Sequence, residues 1–301
     1  MKKVSQQHIY SVWILVTVFS ASAAVLVRLC DISAVSIGFW RALGAAVILF
    51  PFWFRAWLRE GKPAVFNTGA VLAGVAFGLH FSTWCWAIQH TTVANAALFV
   101  ALMPLIVPFI AHLLIKEKLN KYEFIGVVLS VMGAGWLLMK QFTNVPGDMA
   151  GSLVALFSAF CCGIYFVLGR KYRGKQHVIL FSWQVYITAA IVQAAIAYVF
   201  FDGITVGNTR SVLSLAALVI FPTIGGHTLA IYLLRHAKTQ MVSFSVPAQF
   251  VLVSIAAAVL FGEVPHAWFY PGAALIVAGT VIAIISSDTQ FRRLNQRIIN
   301  Y

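Results

Sequence analysis

Arg41, His80 and His227 each stand inside a long apolar stretch, where a charged or hydrogen-bonding side chain is costly to leave without a partner. Arg41 is about six residues, roughly 9 Å of helix, from the end of its stretch. Its guanidinium therefore either snorkels to the headgroups or faces inward to pair with a carboxylate. The two imidazoles can bind a solute or relay protons, or they can hydrogen-bond between helices as neutral structural groups. Phe77, Phe81 and Trp84 recur at helical spacing with His80 and would give an apolar wall with a polar tip. Gln249 adds an amide that must face protein or water. These seven residues form the candidate substrate-binding set. No acid joins them: Asp31, Glu60, Glu117, Glu123, Asp148, Asp202, Glu263 and Asp288 all fall between the apolar stretches or at their ends. A carrier of organic cations would be expected to hold a buried carboxylate, so the pattern points to a neutral, zwitterionic or carboxylate-bearing solute. If protons are coupled, a histidine must carry them. No cysteine–histidine spacing suits a metal, no catalytic set is visible, and no G-x-x-x-x-G-K-[ST] loop occurs, so no cofactor is expected.

The stretches that carry these residues are too apolar for a soluble fold. Of 301 residues, 61% are hydrophobic and 10% charged, and the mean hydropathy is +0.90. Soluble domains run near one half and one quarter. Apolar runs fall at about 9–29, 35–54, 67–89, 92–115, 122–139, 149–169, 178–201, 211–234, 239–262 and 267–286. Most can cross about 30 Å of hydrocarbon as helices, and isolated strands would leave backbone groups unpaired in lipid. The expected fold is an all-α polytopic membrane protein with ten transmembrane helices. The basic N-terminal start leads into the first span, which is read as retained rather than cleaved. Of the 21 Lys and Arg, Arg41 lies within a span, and alternate joints divide the other 20 unequally. One side receives 17, and the other only Arg28, Lys140 and Arg210. That asymmetry places both termini in the cytoplasm and accounts for the net charge of +13 without a nucleic-acid partner.

The chain also repeats. His90 pairs with His236, Glu117 with Glu263, Gly126 with Gly272 and Gly133 with Gly279, all 146 residues apart. Phe19-Ser20-Ala21 recurs as Phe157-Ser158-Ala159, and His80 and His227 fall at nearly the same offset. Units of five spans each must enter the membrane in opposite senses, so residues 1–142 and 143–301 are expected to be inverted repeats around a central cavity.

The stretches that end in Ile115-Lys116-Glu117-Lys118-Leu119 and Phe261-Gly262-Glu263, each followed by a Gly-rich span, resemble the drug/metabolite transporter superfamily of EamA type over roughly residues 9–286. Lys116 stands where that pattern usually has Gly. The resemblance implies ten helices, a cavity lined by the first four helices of each half, and alternating-access transport of small metabolites, often export, in the inner membrane. Amino acids or related compounds are the expected solutes. The alternatives are a multidrug or other solute permease of the same fold, a channel or sensor, and an intramembrane enzyme. Glu117 and Glu263 read as structural turns that cap or pair with nearby helix ends. Gly126, Gly133, Gly272 and Gly279 lie seven apart in pairs and read as close-packing positions. Pro104, Pro108 and Pro247 should bend the fourth and ninth spans. The oligomeric state is not legible.

Overall fold

The computed structural model describes residues 4–61, 64–144, 149–174, 176–262 and 266–299. Among them are ten helices long and apolar enough to span a membrane: α1 (Gln6–Arg28), α2 (Ala34–Arg59), α3 (Thr68–His90), α4 (Asn95–Ile115), α5 (Lys121–Asn144), α6 (Met149–Tyr172), α7 (Val178–Phe200), α8 (Thr209–Leu233), α9 (Thr239–Phe261) and α10 (Phe269–Ile299). The described residues contain no strand. The chain is therefore a multi-pass membrane protein. Short polar joints start the helices because their side chains accept from otherwise unpaired first-turn amides. Ser33 Oγ accepts from Ser36 N, Asn67 Oδ1 from Gly69 N at 2.8 Å, Thr92 Oγ1 from Asn95 N at 3.1 Å and Asn208 Oδ1 from Ser211 N at 3.0 Å.

Three helices are irregular, and proline accounts for the positions. α4, whose first turn begins at Val93, ahead of the apolar span counted from Asn95, is interrupted at Ala101 and Leu102, between Val93–Val100 and Met103–Ile115, just before Pro104. α9 is interrupted at Phe244, between Thr239–Ser243 and Ser245–Phe261, just before Pro247. Proline lacks an amide hydrogen and its ring collides with the preceding turn, so the helix loosens there. α8 widens into a π-helical stretch over Val219–Thr228, which contains Pro222. Within it the Thr223 hydroxyl donates to the Leu218 carbonyl at 2.7 Å.

The helices pair across the molecule in a regular way. α3 packs on α6 and α1 on α8; α6 packs on α4 and α1 on α9; α3 packs on α7 and α2 on α8. α2 packs on α7, α4 on α9 and α5 on α10. Adding five to each helix number exchanges the members of this set. At the α5–α10 contact the four buried glycines meet in reciprocal pairs. A Cβ on Gly126 would lie 2.5 Å from the Gly279 carbonyl oxygen, and one on Gly279 would lie 2.5 Å from that of Gly126. Gly133 and Gly272 repeat the arrangement at 2.6 Å and 3.0 Å. The side-chain-free surfaces let the two backbones touch, which is how helices associate where lipid removes the hydrophobic drive.

Candidate functional site

A cavity lies between α1, α2, α3, α4, α6, α8 and α9, with Arg41, His80, Trp84, His227, Gln249 and Ser20 in its wall. Its free space, as room for the centres of water-sized molecules, is about 60 Å³, enough for a few waters or the slim end of a small solute. Five of the seven candidates thus meet at one cavity. Phe77 and Phe81 do not line it. Both are fully buried, 4.1 Å apart between ring centroids, and they form a floor beneath the polar groups.

That floor holds the polar side chains in place. The Arg41 guanidinium carbon sits 3.8 Å over the Phe81 ring, a cation–π contact in a desolvated setting. The His80 and His227 rings lie 5.8 Å and 5.4 Å from Phe81 and 6.0 Å from each other. Phe77 meets His227 edge-on at 4.6 Å, and Tyr165 backs Phe77 at 4.4 Å. Histidines 147 positions apart thus come together because α3 and α8 both border the cavity.

Arg41 is 1% exposed and does not snorkel. Its Nε donates to Thr223 Oγ1 at 3.2 Å, and Nη1 has no hydrogen-bond partner among the described residues. The Cys85 thiol is its close neighbour, a neutral and weak acceptor. Thr223 lies in the π-helical stretch, and its carbonyl accepts from the Tyr186 hydroxyl at 2.9 Å. π-helical turns recur at functional sites, where they re-aim side chains.

His80 is oriented by Ser158. Its Nδ1 lies 2.7 Å from Ser158 Oγ and 3.1 Å from the Ser158 carbonyl oxygen, while Ser158 Oγ donates to the His80 carbonyl at 3.1 Å. A carbonyl can only accept and the hydroxyl proton is committed, so Nδ1 carries the ring hydrogen and Nε2 is a bare acceptor. The sequence marks Ser158 only as part of a repeated triplet, without pointing to His80. The repeated Phe-Ser-Ala triplet was the available signal: Ser20, its counterpart, abuts Gly226 of α8 as Ser158 abuts α3. Gln184, which corresponds to Arg41 in the repeat, accepts from Asn67 N at 2.9 Å and does not line the cavity.

Polar contacts tie the ends of the helices together, and of these the sequence suggested only the capping role of Glu117. At the more basic end, Lys238 Nζ lies 3.0 Å from both carboxylate oxygens of Glu123, whose side chain is 0% exposed, and 3.3 Å from the Lys118 carbonyl. Glu117 Oε2 accepts from Thr239 N at 3.3 Å, so it caps the start of α9. Glu263 lies outside the described residues. Trp13 Nε1 donates to the Met241 carbonyl at 3.0 Å, and Gln240 Nε2 to that of Pro104 at 3.1 Å, which links the two interrupted helices. Burial, with Arg173 and Arg235 nearby, pushes His236 down to about 4. At the other end the Ser211 hydroxyl donates to Asp31 and holds that carboxyl below its ordinary value. Among the described residues no cluster of His, Cys, Asp and Glu could hold a metal ion.

A family model described as "EamA-like transporter family" matches residues 8–139 and again 149–285. "Uncharacterized transporter YojE" of Bacillus subtilis is 26% identical over 171 residues, 54% of this chain, and that match spans about half (53%) of the YojE length. "Uncharacterized transporter in sor 3'region" of Acidianus ambivalens is 24% identical over 221 residues, 69% of this chain and 78% of its own. One solved crystal structure covers 96% of this chain and 99% of its own at 19% identity and a TM-score of 0.72, a likeness of fold alone.

Proposed function

Since the chain belongs to the EamA-like transporter family, we propose that it is a secondary carrier of the inner membrane that exports small metabolites by alternating access. Amino acids and related neutral, zwitterionic or carboxylate compounds are its solutes. The carrying observation is a buried guanidinium in the cavity wall, with Nη1 free of hydrogen-bond partners among the described residues. Such a group favours an incoming carboxylate and opposes a cation, which would lose hydration without gaining an opposite charge. The two separate family matches and the helix pairing, which is preserved when numbers are raised by five, support two five-helix halves, 1–142 and 143–301. Rocking of such halves would expose the cavity to either side in turn. The interrupted α4 and α9 supply places where that motion bends the chain. The cytoplasmic placement of both termini rests on the distribution of basic joints.

A multidrug permease is the weaker reading, because about 60 Å³ does not admit a drug-sized molecule without wide rearrangement. Counterflow in proteoliposomes tests the proposal. Saturable exchange of a metabolite separates a carrier from a channel, a sensor or an enzyme. Arg41→Gln should weaken a carboxylate solute far more than its amide. Equal losses for both, or robust transport of a quaternary ammonium, would sink the charge argument.

A further inference from the structure

We propose that His80 is the specificity-determining residue of the cavity: its Nε2 accepts a hydrogen bond from the solute, so the protein selects small carboxylates that also carry a hydroxyl or ammonium group. The inference rests on the reading of the cavity as the solute site and of Arg41 as its carboxylate partner.

The cavity wall carries opposite hydrogen-bonding characters in Arg41 and His80. Arg41 can only donate. Its Nε is taken by Thr223, whose own proton goes to Leu218, so Nη1 is the group left for an oxyanion. His80 has its single ring hydrogen committed to Ser158 by two acceptors, and Ser158 is itself committed in return. What His80 presents to the cavity is therefore an acceptor, fixed by its surroundings. Arg41 and His80 both line this one cavity, and both pack against Phe81, 3.8 Å from the guanidinium carbon and 5.8 Å from the His80 ring.

Each way of misfitting that acceptor has a distinct cost. A solute with a methylene in place of the donor leaves Nε2 desolvated and unpaired, because a cavity of about 60 Å³ leaves little room for water beside the solute. A solute with a keto oxygen sets one acceptor against another. The site thus discriminates among carboxylates of the same skeleton, a finer choice than the sign of charge. The neighbouring polar groups Gln249 and Ser20 are uncharged, so they can receive further N–H groups of an ammonium without fixing its position.

The test is competition against counterflow in proteoliposomes with three-carbon probes: alanine, lactate, propionate, pyruvate, alaninamide and lactamide. The expected result for the wild type is that alanine or lactate competes about tenfold or more better than propionate and pyruvate. His80→Gln, whose amide can both donate and accept, should reduce that gap to about threefold or less while acids still outcompete their amides. Propionate or pyruvate matching alanine and lactate in the wild type would overturn the role of His80, and a retained preference for acids over amides would leave the Arg41 reading standing. Loss of the acid preference would remove that reading and this one with it. Failure of all six probes would overturn the proposal, as would an unchanged gap in a His80→Gln protein that still transports. The wild-type series decides the matter even if the variant does not fold.

Discussion

Replacing Lys238 with methionine removes the cation that lies against both oxygens of a buried carboxylate. In the native fold Glu123 has both oxygens 3.0 Å from Lys238 Nζ, and Oε2 also accepts from Asn120 N at 2.6 Å. The side chains are 7% and 0% exposed, so water cannot take over from the ammonium without opening the start of α5 away from α9. Breaking a buried pair of this kind costs about 3–5 kcal/mol, whereas an exposed pair is worth about 0–1 kcal/mol. Removing both charges together, in Lys238→Met with Glu123→Gln, should restore most of the loss, because two neutral groups no longer need one another. Equilibrium unfolding in mixed micelles, run as a double-mutant cycle, measures the coupling directly. A coupling below about 1 kcal/mol, or a double variant whose cost is the sum of the two singles, would show that the pair is solvated and does not hold α9 to α5.

Gly126→Ala places a methyl group 2.5 Å from the Gly279 carbonyl oxygen and 2.7 Å from Ala283 Cβ, so unfolding measurements should show a loss of about 1–3 kcal/mol with solute selectivity unchanged. Tyr186→Phe takes a donor from the Thr223 carbonyl and a partner from Thr228 Oγ1, so it should cost about 1–2 kcal/mol and also raise the apparent KM for carboxylates, because Thr223 positions Arg41. His236 has its pKa lowered from 6.5 to about 4. Between those values the unfolded chain binds a proton that the folded one refuses, so melting temperature should fall as pH drops across that window, and His236→Gln should flatten the slope. The four cysteines are free and buried, so the wild type gives a low background for impermeant maleimide. On the proposed cytoplasmic placement of both termini, Val206→Cys should label from outside and Arg59→Cys should not.

Much of this architecture could be read from the residues, and the part that could not has a physical reason. The spans follow from apolar length alone, because lipid leaves a backbone few choices. The glycines at positions 126, 133, 272 and 279 were legible as a packing face, since spacing by seven returns to the same side of a helix. Which glycine meets which was not legible, because that depends on the antiparallel approach of α5 and α10. Arg41 and His80 stood out because ionisable groups are scarce in apolar runs. Phe77 and Phe81 looked equivalent to Trp84, yet helical spacing places residues on a common side without saying whether a cavity or another helix lies there. Glu123 and Lys238 were concealed by their setting at span ends, where charge is expected and burial cannot be inferred. The π-helical turn in α8 left no trace in the sequence beyond Pro222.

The seam between α5 and α10 reads the same from either side. Gly126 touches Gly279 as Gly272 touches Gly133, so each contact has a mate in which the corresponding glycines exchange places. Surfaces of that kind need no second, different surface to complement them; they are isologous, as in the commonest homodimers. With the two halves taken as the proposed inverted units, a gene encoding one of them, inserted into the membrane in both orientations, would already possess the means to assemble with its own product. Fusion of two copies would then require only a connection, not a new interface. The glycine seam is thus the part of the molecule that could have existed before the chain did.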